Sequence, residues 1–262
     1  MTFNFVDIHC HILPGIDDGP ANWDEALDMA RLAVDDGTTT IVATPHQLGS
    51  FAHNVGGDIR PLVDELRRRL DAASIPLRVL PGGELRIEAE MIAAIARGDA
   101  LTLGAHQRHV LIELPHELYL PIDSLLADFA RRKIVAILAH PERNCGILRE
   151  PSVIAELIDA GCLMQITASS LSGSFGAACQ QLAERMLADD LVHFIASDGH
   201  GARSRRPLMR RAFERAGELT SEETAIELCH RNPERVANNR PVPLKRRQPI
   251  KRRGWFHRRA AG

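Results

Sequence analysis

Residues 7–20, with the sequence DIHCHILPGIDDGP, begin the chain with a dense group of side chains that can bind metal ions. Asp7, His9 and His11 alternate with apolar residues, as they would along a β-strand, and an Asp-Asp-Gly turn follows. Histidines on a first strand can also be packed core residues, and Asp-Asp-Gly is ordinary turn chemistry. Which interpretation applies depends on what the other strands carry at the same end.

The composition is that of an ordinary soluble globular protein, with 45% hydrophobic and 25% charged residues in a chain of 262. That length fits one (β/α) barrel, a fold that commonly takes about 250 residues in a single domain. No apolar run approaches the ~20 residues needed to span a bilayer, and the first residues lack the basic-then-apolar pattern of a signal peptide. Five cysteines without repeated spacing do not suggest a disulfide framework. Together these features predict a cytoplasmic protein with reduced thiols.

Basic residues are concentrated at the C-terminal end of the chain. Residues 245–262 carry eight Lys and Arg and no acid, whereas the rest of the chain carries 24 basic and 34 acidic residues, a net charge of −10. An acidic body with no other basic stripe argues against nucleic acid as a partner. The basic end is expected to be a flexible solvated tail, or a segment attracted to an anionic membrane face, where Trp255 and Phe256 would add interfacial anchoring. We therefore predict a folded domain over 1–240 and a basic tail over 241–262.

Short apolar runs alternate with helical patterns along nearly the whole chain. The first helix shows the clearest signals, since Asn22 is a suitable N-cap, acids follow in the first turn, and Gly37 is a stop signal. The alternation predicts parallel βα units and hence an α/β fold. The predicted strands are 5–9, 39–43, 77–82, 109–113, 134–139, 162–166 and 192–197. The predicted helices are 23–36, 58–72, 88–97, 122–132, 151–160, 175–188, 205–217 and 220–230.

Imidazole, carboxylate and amide side chains recur at the predicted C-terminal ends of the strands. In a (β/α) barrel these ends meet at one face, so the side chains would converge there. Strand alternation directs His9 and His11 to one side and Cys10 to the other, which makes Cys10 a packing residue. Because buried carboxylates are costly unless they are paired or bind metal, the pattern predicts a metal cluster. The residues at these positions are His9, His11, His46, Glu84, Glu113, His140, Gln165, Asp198 and His200.

The mixed nitrogen and oxygen ligand set suits manganese, iron or zinc, and it exceeds one tetrahedral shell, so it predicts two or three ions. Three divalent ions and the four carboxylates of Asp18, Glu84, Glu113 and Asp198 would leave the pocket net positive. Such a pocket attracts a phosphate dianion, and a water that bridges two ions loses a proton near neutral pH. The ligand set therefore predicts phosphate-ester hydrolysis by attack of a metal-bridging hydroxide.

Seven segments of the chain resemble, in order and spacing, the PHP (polymerase and histidinol phosphatase) superfamily. More narrowly, they are similar to its CpsB/CapC-type branch, the manganese-dependent bacterial protein-tyrosine phosphatases of capsule and exopolysaccharide synthesis. The resemblance covers roughly residues 5–240, and HILPGIDDGP together with HPER is its most specific part. It implies a single-domain, distorted TIM-like (β/α) barrel of the PHP type with a trinuclear site. The segments are DIHCHILPGIDDGP, ATPH, GGE, ELP, AHPER, QITASSLSGSFG and SDGH.

The resemblance also implies which residues hold each ion, Mn²⁺ in the family. Asp17 is a weaker ligand candidate than Asp18, because the family's ligand directly precedes the glycine. Asp7 is expected to support a histidine without binding an ion itself. The three implied ligand groups are His9, His11, Glu84 and Asp198; Glu84, Glu113 and His140; and Asp18, His46 and His200.

Two arginines are implied to bind the phosphate. Arg143 corresponds through HPER, and the second is Arg205 or Arg206 in GARSRRP, with Arg206 slightly favoured because it directly precedes a proline. The guanidinium fork suits phosphate oxygens. His46 or His200 would donate a proton to the leaving group where an ion does not fully occupy it.

The substrate implied by the resemblance is phosphotyrosine in the tail of a membrane-bound capsule kinase, at the inner face of the membrane. Two alternatives stay open: a small-molecule phosphomonoesterase of the histidinol-phosphatase type, and a non-catalytic metal-binding regulator of polysaccharide assembly. A thiol mechanism is not expected, although Cys-x5-Arg occurs at Cys179 and Cys229. The first match lies in a helical pattern without glycine, and the second contains a proline that removes a backbone donor.

Overall fold

The computed structural model describes residues 4–243, which form two parallel sheets and ten α-helices in that range. The strands are β1 (Phe5–Cys10), β2 (Thr38–Ala43), β3 (His46–Gln47), β4 (Arg78–Pro81), β5 (Glu84–Arg86), β6 (His109–Glu113), β7 (Val135–Ala139), β8 (Leu163–Thr167) and β9 (Phe194–Ala196). The helices are α1 (Trp23–Asp36), α2 (Gly56–Ala72), α3 (Met91–Arg97), α4 (Asp123–Arg131), α5 (Cys145–Arg149), α6 (Val153–Asp159), α7 (Ala177–Ala188), α8 (Arg210–Leu219), α9 (Glu222–Ile226) and α10 (Asn232–Ala237).

The strands follow one another around a distorted barrel. One sheet has the order β1-β2-β4 and the other the order β3-β5-β6-β7-β8-β9. The ring closes between its ends, where the backbone N–H of Asp198 donates to the carbonyl of His9 at 2.8 Å. The predicted single-domain α/β barrel is confirmed, and all seven predicted strands are present.

Two strands, β3 and β5, were missed by the sequence patterns because they are only two and three residues long. The chain leaves β2 at Thr44 and Pro45 and enters β3 in the second sheet, and it leaves β4 at Gly82 and Gly83 and enters β5. A side chain would not fit at the second glycine, since a Cβ there would lie 2.2 Å from Gln47 Oε1. These two crossings set β3 beside β5 and make His46 and Glu84 register partners.

The core lies on both faces of the strands, which explains their nearly continuous apolar runs. All six residues of β1 are buried. Cys10 packs with Met29 of α1 and Leu66 of α2, which confirms that it is a packing residue. A separate cluster joins Leu111 of β6 and Phe194 of β9 to the C-terminal helix α10.

Helix α1 matches its predicted bounds, and its caps explain why. The Asn22 side chain accepts a hydrogen bond from Glu25 N, and Gly37 adopts the left-handed conformation, φ 110°, that ends the helix. The predicted helix over 205–217 is wrong at its start, because α8 begins at Arg210. Arg205 has φ 46°, and Pro207 disfavours helical backbone before it. The segment before α8 is therefore a loop that lies over the strand ends.

The C-terminal part of the fold runs further than the sequence indicated. A π-helical turn over Glu227–Arg231 joins α9 to α10, so the helical segment ends at Ala237 instead of 230. Val242 is also buried against the core. The predicted tail over 241–262 lies, beyond Pro243, outside the described residues. Among the helices that the structure describes, none has the length and apolar character needed to cross a bilayer.

Candidate metal centre

All nine predicted ligand residues converge at the C-terminal ends of the strands. The parallel arrangement gathers them, because consecutive strands of the barrel end at the same face. Their side chains come from β1 and the loop after it (His9, His11, Asp18), β3 (His46), β5 (Glu84), the end of β6 (Glu113), the turn after β7 (His140) and the loop after β9 (Asp198, His200).

Glu84 lies at the middle of this group. Its Oε2 atom is 3.0 Å from His46 Nδ1 and 3.3 Å from His9 Nε2, while its Oε1 atom is 3.0 Å from Nε2 of His140. The His11 Nε2 atom lies 3.4 Å from the same Oε2. Glu84 is only 1% exposed, yet Oε2 has no hydrogen-bond partner among the described residues. A buried anionic oxygen that lies 3.0–3.4 Å from three imidazole nitrogens has the environment of a cation ligand.

The potential ligand atoms fall into three groups, each with its atoms within 4.8 Å of one another. The groups are His9, His11 and Glu84; His46, Glu84 and Glu113; and His11, Asp18, His46 and His200. Asp198 adjoins the first group, with Oδ1 3.4 Å from His9 Nε2, and His140 adjoins the second, 3.8 Å from Glu113 Oε1. This donor set fits two or three divalent ions. The groups differ from the division that the resemblance implies, because His11 and His46 each reach a second group and Asp198 and His140 only adjoin their groups.

The negative charge of the cluster raises the pKa values of some of its histidines, whereas burial lowers the pKa values of His140 and His200. Burial lowers the pKa of His9, but the carboxylates of Glu84 and Asp198 raise it overall to about 9. Burial opposes the same shift at His46, where the Asp18 and Glu84 carboxylates raise the pKa to about 11. The attraction that draws protons onto these rings also acts on divalent cations. Because bound ions must displace such protons, metal affinity is expected to decrease as the pH falls.

Two of the predicted ligand residues have unusual backbone conformations. His140 has φ 31° and Asp198 has φ 51°, so both occupy the left-handed region without being glycine. Such conformations cost on the order of 1–3 kcal/mol each and persist where the surroundings hold them. Here they turn the chain sharply after β7 and β9 and direct both side chains into the cluster.

Residues around the ligands fix the orientation of the imidazole rings. Gln165 Oε1 lies 2.8 Å from His9 Nδ1, and Asp17 Oδ2 lies 2.7 Å from His11 Nδ1. Each contact leaves the other ring nitrogen, Nε2, directed toward the cluster. Asp7 supports His9 only through the backbone, since it accepts from the His9 N–H and from Ser197. The side chain that contacts the His9 ring is therefore that of Gln165, and Asp7 contacts only the backbone of His9.

We expect Gln165→Leu to reduce both metal affinity and kcat/KM by about 10–100-fold, because loss of a residue that orients a ligand has effects of this size. Gln165→Glu should restore much of the loss, since it keeps an acceptor for His9 Nδ1–H. Metal titration and steady-state kinetics on both variants measure the effect. Unchanged metal affinity in the Leu variant would refute the orienting role.

The two arginine positions differ in their access to the cluster. Arg143 donates to Asp198 Oδ2, and its guanidinium lies 4.2 Å from the ring centroid of Phe175. Arg205 Nη2 lies 2.7 Å from the same carboxylate oxygen. Arg206 is exposed and lines a neighbouring cavity. The structure thus favours Arg205, whereas the sequence slightly favoured Arg206; the left-handed backbone at Arg205 directs its side chain inward.

Sequence reasoning also missed the role of Glu142 in HPER. This side chain is fully buried and accepts from Thr167 N at 2.8 Å and from Ser170 Oγ at 2.7 Å. Burial raises its pKa to about 7. Glu142 thus joins the turn after β7 to the end of β8 and the loop after it. The sequence signal for this contact was an acid between His140 and Arg143, the two residues of HPER predicted to lie in the site.

The two Cys-x5-Arg matches have no place in the site. Cys179 is buried and Cys229 lies in the apolar core, and burial raises the pKa of each thiol. A nucleophilic cysteine needs the opposite, an accessible thiolate.

Comparison with known proteins agrees with this geometry. A family model described as "Capsular polysaccharide synthesis, CpsB/CapC" matches residues 5–238. The chain is 36% identical to tyrosine-protein phosphatase YwqE of Bacillus subtilis (strain 168) over 256 residues, which cover 96% of this chain and 98% of YwqE. It is 28% identical to tyrosine-protein phosphatase CpsB of Streptococcus pneumoniae over 237 residues, which cover 88% of this chain and 97% of CpsB.

A solved structure of related phosphatases has the same fold as this chain. It comes from work on YwqE from Bacillus subtilis and CpsB from Streptococcus pneumoniae, described there as unique metal-dependent tyrosine phosphatases. The TM-score is 0.89 at 35% sequence identity, and the match covers 94% of this chain and 100% of that one.

Proposed function

We propose that the nine converging side chains hold the metal ions of this protein. The chain belongs to the CpsB/CapC family of capsular polysaccharide synthesis and is a metal-dependent tyrosine-protein phosphatase. The observation that carries this assignment is the buried, unpartnered Oε2 atom of Glu84 among three imidazole nitrogens. Mixed imidazole and carboxylate ligands suit Mn²⁺, the ion we expect, as well as Fe or Zn.

Bound ions polarise phosphate oxygens and activate water at neutral pH. The residues of the chain provide the rest of the transition-state environment. Arg143 and Arg205 approach the cluster from one side and would bind the phosphate oxygens, on which negative charge spreads as the ester bond breaks. Phenolate is a tolerable leaving group, because tyrosine has a pKa of about 10. His46 or His200 would donate the proton that the phenolate takes up where an ion does not fully occupy the imidazole.

A substrate comparison tests this function. With Mn²⁺ present, kcat/KM for a phosphotyrosyl peptide should exceed that for histidinol phosphate and for the matching phosphoseryl peptide. A clear preference for histidinol phosphate would support a small-molecule phosphomonoesterase instead. Metal-loaded protein without activity on any of the three would indicate a non-catalytic regulator.

We further propose that the natural substrate is the phosphotyrosine tail of a membrane-bound tyrosine kinase, which the enzyme meets at the inner face of the membrane. The family's role in capsular polysaccharide synthesis supports this proposal. The eight basic residues of 245–262 would keep the enzyme near the anionic surface, since each contributes about 1 kcal/mol there.

Deletion of residues 245–262 is therefore expected to reduce binding to vesicles that contain anionic lipid by about tenfold or more at low salt. Hydrolysis of a soluble phosphotyrosyl peptide should stay unchanged, because the catalytic cluster lies in the described domain. Vesicle co-sedimentation of the full-length and truncated chains measures the difference. Equal co-sedimentation would remove the membrane role of the tail.

A further inference from the structure

A second, positively charged pocket adjoins the metal centre. We propose that it is a subsite for a second anionic group of the substrate, a carboxylate or a further phosphate near the phosphotyrosine that is hydrolysed. The proposal rests on the proposed function and adds a preference for acidic peptides to it.

The pocket is a cavity of about 390 Å³ between the loop after β8 and the start of α8. Its walls carry guanidinium and hydroxyl donors together with one aromatic ring. The residues that provide them are Ser172, Ser174, Phe175, Arg205, Arg206 and Arg211.

Of the three arginines that line the pocket, Arg205 pairs with Asp198, and the charges of the other two are not neutralised within the described residues. The lining includes no Asp or Glu, and neither Arg206 nor Arg211 forms an ion pair with a carboxylate of residues 4–243. Elsewhere on the surface, arginines such as Arg67 and Arg215 pair with acids one helical turn away. Since the body of the chain is acidic, a patch of unpaired guanidinium groups beside a phosphate site indicates an anionic ligand.

The pocket and the metal centre share a wall. Arg205 lines the pocket while its Nη2 atom lies 2.7 Å from Asp198 of the cluster. Phe175 also lines the pocket, and the Arg143 guanidinium lies over its ring, 4.2 Å from the ring centroid. Arg143 and Arg205 both donate to Asp198 of the cluster, whereas neither Arg206 nor Arg211 has such a bond among the described residues. A peptide with a second anion would bring that group to Arg206 and Arg211.

A hydroxyl group adds a further donor for such an anion. Ser172 and Ser174 line the pocket with their Oγ atoms 3.2 Å apart. Because Ser172 Oγ donates to the Ser169 carbonyl at 3.0 Å, the Ser174 hydroxyl is the one left to donate to an anion. Guanidinium and hydroxyl donors bind carboxylate and phosphate oxygens alike, so the chemistry of the pocket fits both sources.

Binding of non-hydrolysable peptides to the full-length, metal-loaded protein tests the proposal. Fluorescent peptides with a phosphonate analogue of phosphotyrosine are compared when flanked by Glu, by Gln, or by a second such analogue. For the native chain, we expect the dissociation constant of either acidic peptide to be at least about fivefold lower than that of the Gln peptide. The difference should shrink as salt is raised, because these charges are exposed.

The double variant Arg206→Gln/Arg211→Gln should bind all three peptides with nearly equal affinity. Arg203→Gln is the matched control, since Arg203 is exposed on the same loop and does not line the pocket, and it should keep the native preference. Tighter binding of only one acidic peptide would identify the source of the anion. Equal binding of acidic and Gln peptides to the native chain, or an unchanged preference in the double variant, would overturn the subsite. Turnover of ordinary phosphotyrosyl peptides tests the proposed function separately.

Discussion

Glu84→Gln is expected to lower kcat/KM for a phosphotyrosyl peptide by about 10³-fold or more and to reduce the number of bound metal ions. The variant keeps the shape of the side chain but replaces a charged oxygen with an amide group. In the native protein, the two carboxylate oxygens lie 3.0–3.4 Å from nitrogens of His9, His11, His46 and His140. A neutral amide would hold divalent cations less well than the carboxylate would, so binding of the ions that Glu84 would help to hold should weaken.

Glu88→Gln is the matched control for this experiment. Glu88 lies four residues away, and its exposed carboxylate pairs only loosely with Arg86, at 3.9 Å. Its kinetics and metal content should equal those of the native chain, and circular dichroism should show that both variants are folded. Native activity and native metal content in Glu84→Gln would contradict the central position that we give to this carboxylate.

Arg143→Gln should lower kcat/KM by about 10²–10³-fold while metal content stays at the native level. Removal of one preorganised donor to a developing oxyanion commonly costs this much. Arg143 reaches the cluster by donating to Asp198, and Phe175 holds the guanidinium plane in place. Arg143→Lys should recover only part of the loss, because an ammonium group lacks the planar fork.

Metal content distinguishes the two variants, since Glu84→Gln is expected to lose metal ions and Arg143→Gln is expected to keep them. Arg149→Gln serves as the control, since Arg149 lies on α5 and contacts only the Glu117 carbonyl among the described residues. If Arg143→Gln lost metal ions together with activity, its role would be to hold Asp198 and not to bind phosphate.

Local patterns were sufficient for seven of the nine strands and for the convergence of the predicted ligand residues. Helix α1 was predictable because Asn22 and Gly37 mark its ends within a few residues of sequence. The convergence was predictable because parallel strands bring their C-terminal ends together, and with them the imidazoles and acids at those ends. The barrel itself follows from the same alternation of strands and helices.

Contacts between distant segments were not predictable in this way. Gln165 pairs with His9 across 156 positions, and nothing near either residue indicates the other. Strands β3 and β5 have two and three residues, too few for a periodic pattern. The inward position of Arg205 depends on a left-handed backbone residue before Pro207, which the run of arginines does not reveal.

The most direct test of the account is the metal content of the full-length protein, purified without chelators and measured beside its phosphotyrosine phosphatase activity. We expect about two to three divalent ions per chain, loss of activity by about 10³-fold or more after chelation, and recovery when Mn²⁺ is added back. Full activity in protein that holds less than about one ion per ten chains would contradict the assignment of the cluster as the catalytic metal centre.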